Sequence, residues 1–347
     1  VQQADNKIAH VRLSSEAFAS DEDVIKAFAD IGVIYHLMDS KNKKSRVALF
    51  LNYIRQTAGQ RMMLEQRVTS NSKQFGWTPD KRGFLLGEWL IYGGERRERA
   101  HPNKACVTYV DAMTPPITAR VHNWADASNV YAHRGMEAAQ FILGVSLASP
   151  VLGLLSTADA QGALINIFST DSGLGTTTLA HSALSIWGRP APIGNKMGLS
   201  GISNDTNKSR IFGMSLFQNI PYYMDETTDM KAQQSYQLVY QITQGQDARR
   251  MKQSCVELHD TVGGWNMVTM TSSNKSLVEK LYTLAGASGD AVHARVLEID
   301  MAQLRSAREV QGPDGRPLYT HEQIQCAFRT MQAENYAIIG QDYLVNI

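Results

Sequence analysis

An α/β fold, with a parallel sheet and flanking helices behind a small α+β segment, is predicted by three stretches of this 347-residue sequence. Residues 164–187, LINIFSTDSGLGTTTLAHSALSIW, begin as an apolar run, cross a loop of small residues and continue with a helical pattern. Residues 220–226, IPYYMDE, form a second apolar run that ends in two adjacent carboxylates. Residues 265–274, WNMVTMTSSN, form a third, ending in small polar residues. Short apolar runs bounded by turn signals and separated by helical patterns read as buried strands of an α/β sheet.

Composition narrows the choices. The length has room for about two domains at roughly 150 residues each. The 34 basic and 33 acidic residues nearly cancel, so nucleic-acid contact must be local, through loops or a channel formed by several subunits. Cys106, Cys255 and Cys326 are isolated, which fits a reducing compartment and offers no metal spacing. The first residues lack an initiator Met and a signal sequence, so a trimmed or fragmentary cytoplasmic chain is expected. The longest apolar stretch, 141–155, contains Pro150 and falls short of the ~20 residues that span a bilayer. It reads as a buried helix followed by a turn, with no membrane partner.

Taken in order, Asp21, Glu22 and Asp23 before Val24, Ile25, Phe28 and Ile31 mark an acidic helix start, and 47–54 mark a second helix. The basic cluster Lys41, Lys43, Lys44 and Arg46 reads as a solvated loop in preference to a nucleic-acid contact. Runs at 75–77, 83–87, 89–92 and 106–110, separated by Gly, Pro and charged turns, predict a small antiparallel β unit. The mixed charges of 95–99, ERRER, predict an exposed hairpin. β character stops near Thr114-Pro115-Pro116, and 124–147 turns helical, with Val130, Ala138, Phe141, Ile142 and Val145 on one buried face. The domain boundary is therefore expected near residue 121. Residues 1–121 form an N-terminal α+β domain, and 122–347 a nucleotide-binding domain with an expected truncation at its end.

The chemistry is expected where the first run meets its helix. There, free backbone N–H groups and the helix dipole converge on a point that suits a phosphate. The phosphate-loop pattern G-x-x-x-x-G-K-[ST] falls on residues 170–177, TDSGLGTT, keeping Gly175 and Thr177 but neither the first glycine nor the lysine. Asp171, Ser172, Gly173, Leu174, Gly175, Thr176, Thr177 and Thr178 are the candidate cradle for ATP. Asp225 and Thr177 are the candidate Mg²⁺ ligands, and Glu226 the group facing the attacking water. Asn274, or else Ser273 or Thr271, could hold the γ-phosphate from the third strand's tip. The same residues read equally as the cap of the next helix. Arg249 and Arg250 sit in a polar loop, 244–252, and could act across a subunit boundary, line a nucleic-acid channel or lie idle on the surface. Arg295, opening a further strand, could also face phosphate.

Thr176 stands at the lysine position, so three readings stay open. The site holds nucleotide weakly as a structural ligand, another cation such as Lys196, Lys208 or Arg210 substitutes, or the lysine was replaced to trap a bound state. The nine histidines are scattered and suggest no further constellation.

In order and spacing, TDSGLGTTTLAHSALSIWG, NDTNKSRIFGMSLFQNIPYYMDE, GQDARRMK, VTMTSSN and ARVLEID resemble a bacterial and phage family of uncharacterised P-loop proteins related to superfamily 3 helicases. FGWTPDKRGFLLGEWLIYGG is similar to that family's β-rich segment, and the resemblance covers roughly residues 70 to 300. It implies an AAA+-like P-loop core, assembled as a hexameric ring that moves on single-stranded or forked DNA during phage or plasmid replication in a bacterial cytoplasm. Replication proteins would be its partners, and ATP and Mg²⁺ its cofactors. By position it implies Gly175 and Thr177 in the phosphate loop (Walker A), Asp225 and Glu226 in Walker B, and Asn274 as sensor 1. Family members usually carry Lys where this chain has Thr176. The alternative expectation is a catalytically silent P-loop module kept for assembly.

Overall fold

The computed structural model describes residues 22, 24–26, 51–53, 56, 75–78, 80–87, 89–98, 117–155, 161–171, 174–191, 198–201, 207–245, 264–284, 295–303 and 309–346. The chain divides into two compact units, Val1–Asn71 and Ser72–Ile347. In the first, Glu22, 24–26, 51–53 and Gln56 are helical, with Val24 and Leu51 buried. The basic cluster at 41–46 and the run at 106–110 lie outside the described residues.

The second unit opens with an antiparallel sheet of β1 (Gly76–Trp77), β2 (Gly83–Leu86), β3 (Trp89–Tyr92) and β4 (Glu95–Glu98), paired in chain order. Of the charged hairpin expected at 95–99, residues 95–98 form the sheet's edge, β4, with Glu95 and Arg97 exposed. Two helices follow, α1 (Ile117–Ser128) and α2 (Glu137–Leu155). Then come β5 (Gly162–Phe168), α3 (Thr176–Ser185), β6 (Ser200–Gly201), α4 (Asn207–Phe217), β7 (Tyr222–Met224), α5 (Ala232–Gln244), β8 (Met267–Ser273), α6 (Leu277–Tyr282) and β9 (Val296–Asp300). The chain continues into α7 (His321–Arg329), a π-helical turn at Thr330–Glu334, and α8 (Ile338–Asn346).

β5 to β9 form one parallel sheet in the order β6-β7-β8-β5-β9. Parallel strands are joined by helical crossovers and are buried on both faces, so β8 reads as an unbroken buried run from Met267 to Ser273. The third strand therefore continues past Met270, where the apolar pattern ended, and it lies between the other two expected strands. On α3, Leu179, Ala180, Ala183, Leu184 and nearby Trp187 are all buried, as their spacing predicts.

The expected boundary at residue 121 is displaced to Asn71/Ser72. Residue 121 lies inside α1, and the antiparallel sheet shares its core with the parallel one. Phe75 packs on Phe217 at 5.7 Å, and the Phe75 N–H donates to the Leu216 carbonyl at 2.7 Å. The Trp77 N–H donates to Asn219 Oδ1, and Asn219 Nδ2 to the Asn266 carbonyl. These contacts precede β7 and β8, so the β unit braces the N-terminal ends of the parallel strands and leaves their C-terminal ends to the loops.

The helix expected over 124–147 is two helices, because the chain turns between residues 129 and 136 through a 3₁₀ segment and Gly135, at φ +88°. Ile142 and Val130 are buried as expected, but Phe141 is 47% exposed. α2 continues through Pro150 instead of ending in a turn. Proline removes the hydrogen bond to the carbonyl four residues back, here that of Ser146. Trp187 Nε1 donates to that carbonyl at 3.0 Å, so the freed group is satisfied within the core. Among the described residues, α2 alone is long and apolar enough to cross a membrane by length and composition. Here its buried stripe, Ala139, Ile142, Ser146, Ser149, Pro150 and Gly153, packs towards α3 and β8.

Candidate nucleotide site

β5 ends at Phe168, and the loop closes on Gly175, which caps α3 at φ +89°. Only glycine takes that left-handed conformation without steric cost. Among the described residues, a Cβ there would meet nothing within 4 Å. The first N–H groups of a helix lack intrahelical acceptors, and together with the dipole they favour an anion.

Two expected ligands meet at this end of the sheet. Thr177, in the first turn of α3, donates its hydroxyl to Asp225 Oδ1 at 3.2 Å. The pair is 48 residues apart in sequence, and the parallel pairing of β7, β8 and β5 brings it together. Both are oxygen donors, the class that hard cations such as Mg²⁺ prefer; Mg²⁺ is often held by one or two carboxylates with phosphate and water completing the shell. The residues present fit an Mg-nucleotide. Among the described residues no cluster of three or more His, Cys, Asp or Glu offers another metal site.

Asp225 Oδ1 takes three further hydrogen bonds: from Ser272 Oγ at 2.6 Å, Tyr223 Oη at 2.7 Å and the Glu226 N–H at 3.0 Å. Burial alone would push this carboxyl up. The hydrogen bonds from Ser272, Tyr223 and Thr177, with His181 nearby, outweigh it and hold the group below the usual carboxylate range. Burial raises the Tyr223 phenol and lowers His181, the latter partly offset by Asp225. Each shift keeps Tyr223 and His181 neutral beside an ionised Asp225.

Glu226 is exposed, and its backbone sits at φ +52°, a left-handed conformation that is costly for a residue with a side chain. Its N–H is shared between Asp225 Oδ1 and Ser272 Oγ, both at 3.0 Å. Beyond it, the Lys280 ammonium donates to the carbonyls of Thr228, Met230 and Thr227 at 2.6, 3.1 and 3.3 Å, pinning the loop.

The other expected residues fall unevenly. Asp171 is exposed, and its N–H donates to Ser169 Oγ at 3.0 Å. Leu174, Thr176 and Thr178 are partly buried, and the Thr178 carbonyl accepts from Gln332 Nε2 at 3.0 Å. Ser172, Gly173, Arg249 and Arg250 lie outside the described residues, as do Lys196 and the Lys208 side chain. Asn274 is exposed at the tip of β8, with its N–H donating to Thr228 Oγ1 at 2.7 Å. The helix cap is Ser276, whose hydroxyl accepts the Glu279 N–H. Thr271 and Ser273 turn inward to Asn166, which also donates to Glu298 at 2.7 Å.

Arg295 is a correction. It precedes β9, at the N-terminal end of the parallel strands, and stacks over Tyr240 at 4.8 Å. Five strand residues at roughly 3.3 Å each separate it from the phosphate end. Arg210 is buried, and its Nη1 reaches Met230 Sδ at 3.8 Å. The residue that sequence reading passed over is Ser272. Met224 pairs with Thr271, so the next residues along, Asp225 and Ser272, come side by side, and that register is the signal which finds it.

The model of a family described as "Domain of unknown function (DUF927)" matches residues 1–255. No curated protein matches the chain. A solved structure described as "SCCmec type IV Cch - active helicase" matches over 96% of this chain and 55% of its own length, at 18% identity and a TM-score of 0.60. That likeness shows the fold, and the chain spans about half the length of the helicase structure it matches. A structure of JCV helicase covers 92% of the chain at 13% identity, but its TM-score of 0.29 carries no argument.

Proposed function

This chain belongs to the DUF927 family, and we propose that its second unit is an Mg²⁺-dependent ATPase of helicase type that works on single-stranded or forked DNA as an oligomeric ring. The observation that carries this is the Thr177 to Asp225 contact at 3.2 Å, at the N-terminus of α3. Gly175 and the first turn of α3 would receive the phosphates through backbone N–H groups. Thr177 and Asp225 would hold Mg²⁺, which neutralises charge building on the transferred phosphoryl group. Glu226, exposed beside Asp225, would orient the attacking water and take its proton. Asn274, exposed where β8 ends between β7 and β5, would read the γ-phosphate. Arg249 or Arg250 of a neighbouring subunit would complete the charge on the far side.

Thr176 favours a second reading. It offers a hydroxyl where a charge-assisted contact roughly twice as strong is usual. A module that binds nucleotide weakly and serves assembly is the alternative. ATP hydrolysis with and without single-stranded DNA, on protein whose assembly is measured by mass, separates the two. Turnover stimulated by DNA in an oligomer is expected. Oligomers with no turnover in either condition would establish the assembly module instead.

A further inference from the structure

The phosphate-loop and Walker B patterns ask for no hydroxyl at Tyr223 or Ser272, yet both donate to the proposed metal-binding carboxylate. We infer that Ser272 and Tyr223 are positioning residues that fix Asp225 through Oδ1 alone, so that its other oxygen and Thr177 are presented to the cation of a bound nucleotide. This rests on the Mg-nucleotide reading above.

All four donors to Asp225 among the described residues converge on Oδ1: Ser272, Tyr223, the Glu226 N–H and Thr177, at 2.6, 2.7, 3.0 and 3.2 Å. Thr177 is the longest of the four and so the one most readily released to a cation. The two hydroxyls that remain are held from behind. Tyr223 lies on β7 two residues before Asp225, which directly follows the strand; the 2.7 Å hydrogen bond puts the two on one side, and Tyr223 is fully buried. Its ring meets His181 edge-on at 5.7 Å. His181 follows Thr177 by one helical turn, about 6 Å of rise, and Tyr223 precedes Asp225 by two strand residues, about 6.6 Å. The matched steps align Thr177 with Asp225 and His181 with Tyr223, so the phenol cannot swing away without breaking the helix packing.

Ser272 completes the clamp from the neighbouring strand. Its one proton goes to Asp225, and its oxygen accepts the Glu226 N–H at 3.0 Å. A single hydroxyl therefore sets both Walker B residues and ties them to the strand whose tip carries Asn274.

Titration calorimetry of the full chain with ADP, once in Mg²⁺ and once in EDTA, tests this. The readout is the ratio of the two affinities, which a fold defect alone does not change selectively. Wild type is expected to bind more tightly with Mg²⁺. Ser272→Ala and the near-isosteric Tyr223→Phe are each expected to lower that ratio about tenfold, the effect of one charge-assisted hydrogen bond, with EDTA affinity preserved. Ser272→Thr, which keeps the hydroxyl, is expected to restore it. An unchanged ratio in folded Ser272→Ala and Tyr223→Phe would overturn the positioning role while leaving the nucleotide site standing. Wild type that binds ADP in neither condition would remove the nucleotide reading and this inference together.

Discussion

Replacing Thr176 by lysine restores the residue that the phosphate-loop pattern asks for, and its effect can be sized. Thr176 is the first residue of α3 and is partly buried, directly after Gly175. In the empty protein an ammonium there sits at the positive end of the helix dipole, costing about 0.3–1 kcal/mol. With phosphate bound, the same group makes a charge-assisted hydrogen bond worth about 1.5–3 kcal/mol. The net gain is about 0.5–2.7 kcal/mol, or roughly 2- to 100-fold in Mg-ATP affinity. Turnover should rise by at least that factor, because the contact strengthens as charge develops on the phosphoryl oxygens. The assay is Mg-ATP binding by calorimetry with steady-state ATP hydrolysis on Thr176→Lys, and Glu226→Gln in the same background should then abolish hydrolysis. Unchanged affinity and turnover in a folded Thr176→Lys protein would refute the reasoning and point to another cation or a role outside catalysis.

Further outcomes follow from the same geometry. Glu226→Gly should remove ATP turnover while leaving stability unchanged or raised by up to about 1 kcal/mol, because glycine relieves the left-handed backbone at φ +52°; chemical denaturation beside the ATPase assay checks it, and a clear loss of stability would contradict it. Gly340→Ala should destabilise by about 1–3 kcal/mol, since a Cβ there would lie 2.5 Å from the Trp187 ring and 2.7 Å from the Ile186 carbonyl; a thermal melt of the variant measures it. Asn166→Ala should cost about 2–4 kcal/mol, because Glu298, Thr271 and Ser273 lose a buried partner. Burial raises the Tyr131 phenol, which also contacts Ser182 at 3.1 Å. A raised folded pKa leaves its stabilisation intact below the unfolded value of about 10 and erodes it above, by about 1.4 kcal/mol per pH unit. Unfolding free energy from denaturation between pH 9 and 11 should therefore fall less with rising pH in Tyr131→Phe than in wild type.

What was legible in the sequence is what is encoded locally. The strand, loop and helix from 162 to 187 announce themselves because small residues separate two apolar periods, and Leu179, Ala180, Ala183 and Leu184 are buried as their spacing requires. Asp225 and Glu226 were visible because an apolar run stops at them. Ser272 was not, because its partner is 47 residues away and only the register of β7 against β8 reveals the pairing. The course of α2 through Pro150 was hidden for a similar reason: the carbonyl that proline strands is rescued by Trp187, 41 residues on. Arg295 lies away from the phosphate end because β9 runs parallel to β5, so the residue that opens the strand sits at the opposite end; its charge and its place before the strand are legible in the sequence, and the strand's direction within the sheet is not. The displaced domain boundary reflects Phe75 and Trp77, whose aromatic rings look like the core of a small β unit but pack into the parallel-sheet core.

The most direct test of the site compares nucleotide binding by wild type and Asp225→Asn across an Mg²⁺ titration. With Thr177 and Asp225 as the cation's protein ligands, wild-type affinity for ADP should climb with Mg²⁺ while Asp225→Asn stays flat. Equal Mg²⁺ dependence in the two proteins would place the cation elsewhere, and the contact between Thr177 and Asp225 would then be no more than a brace between a helix and a strand.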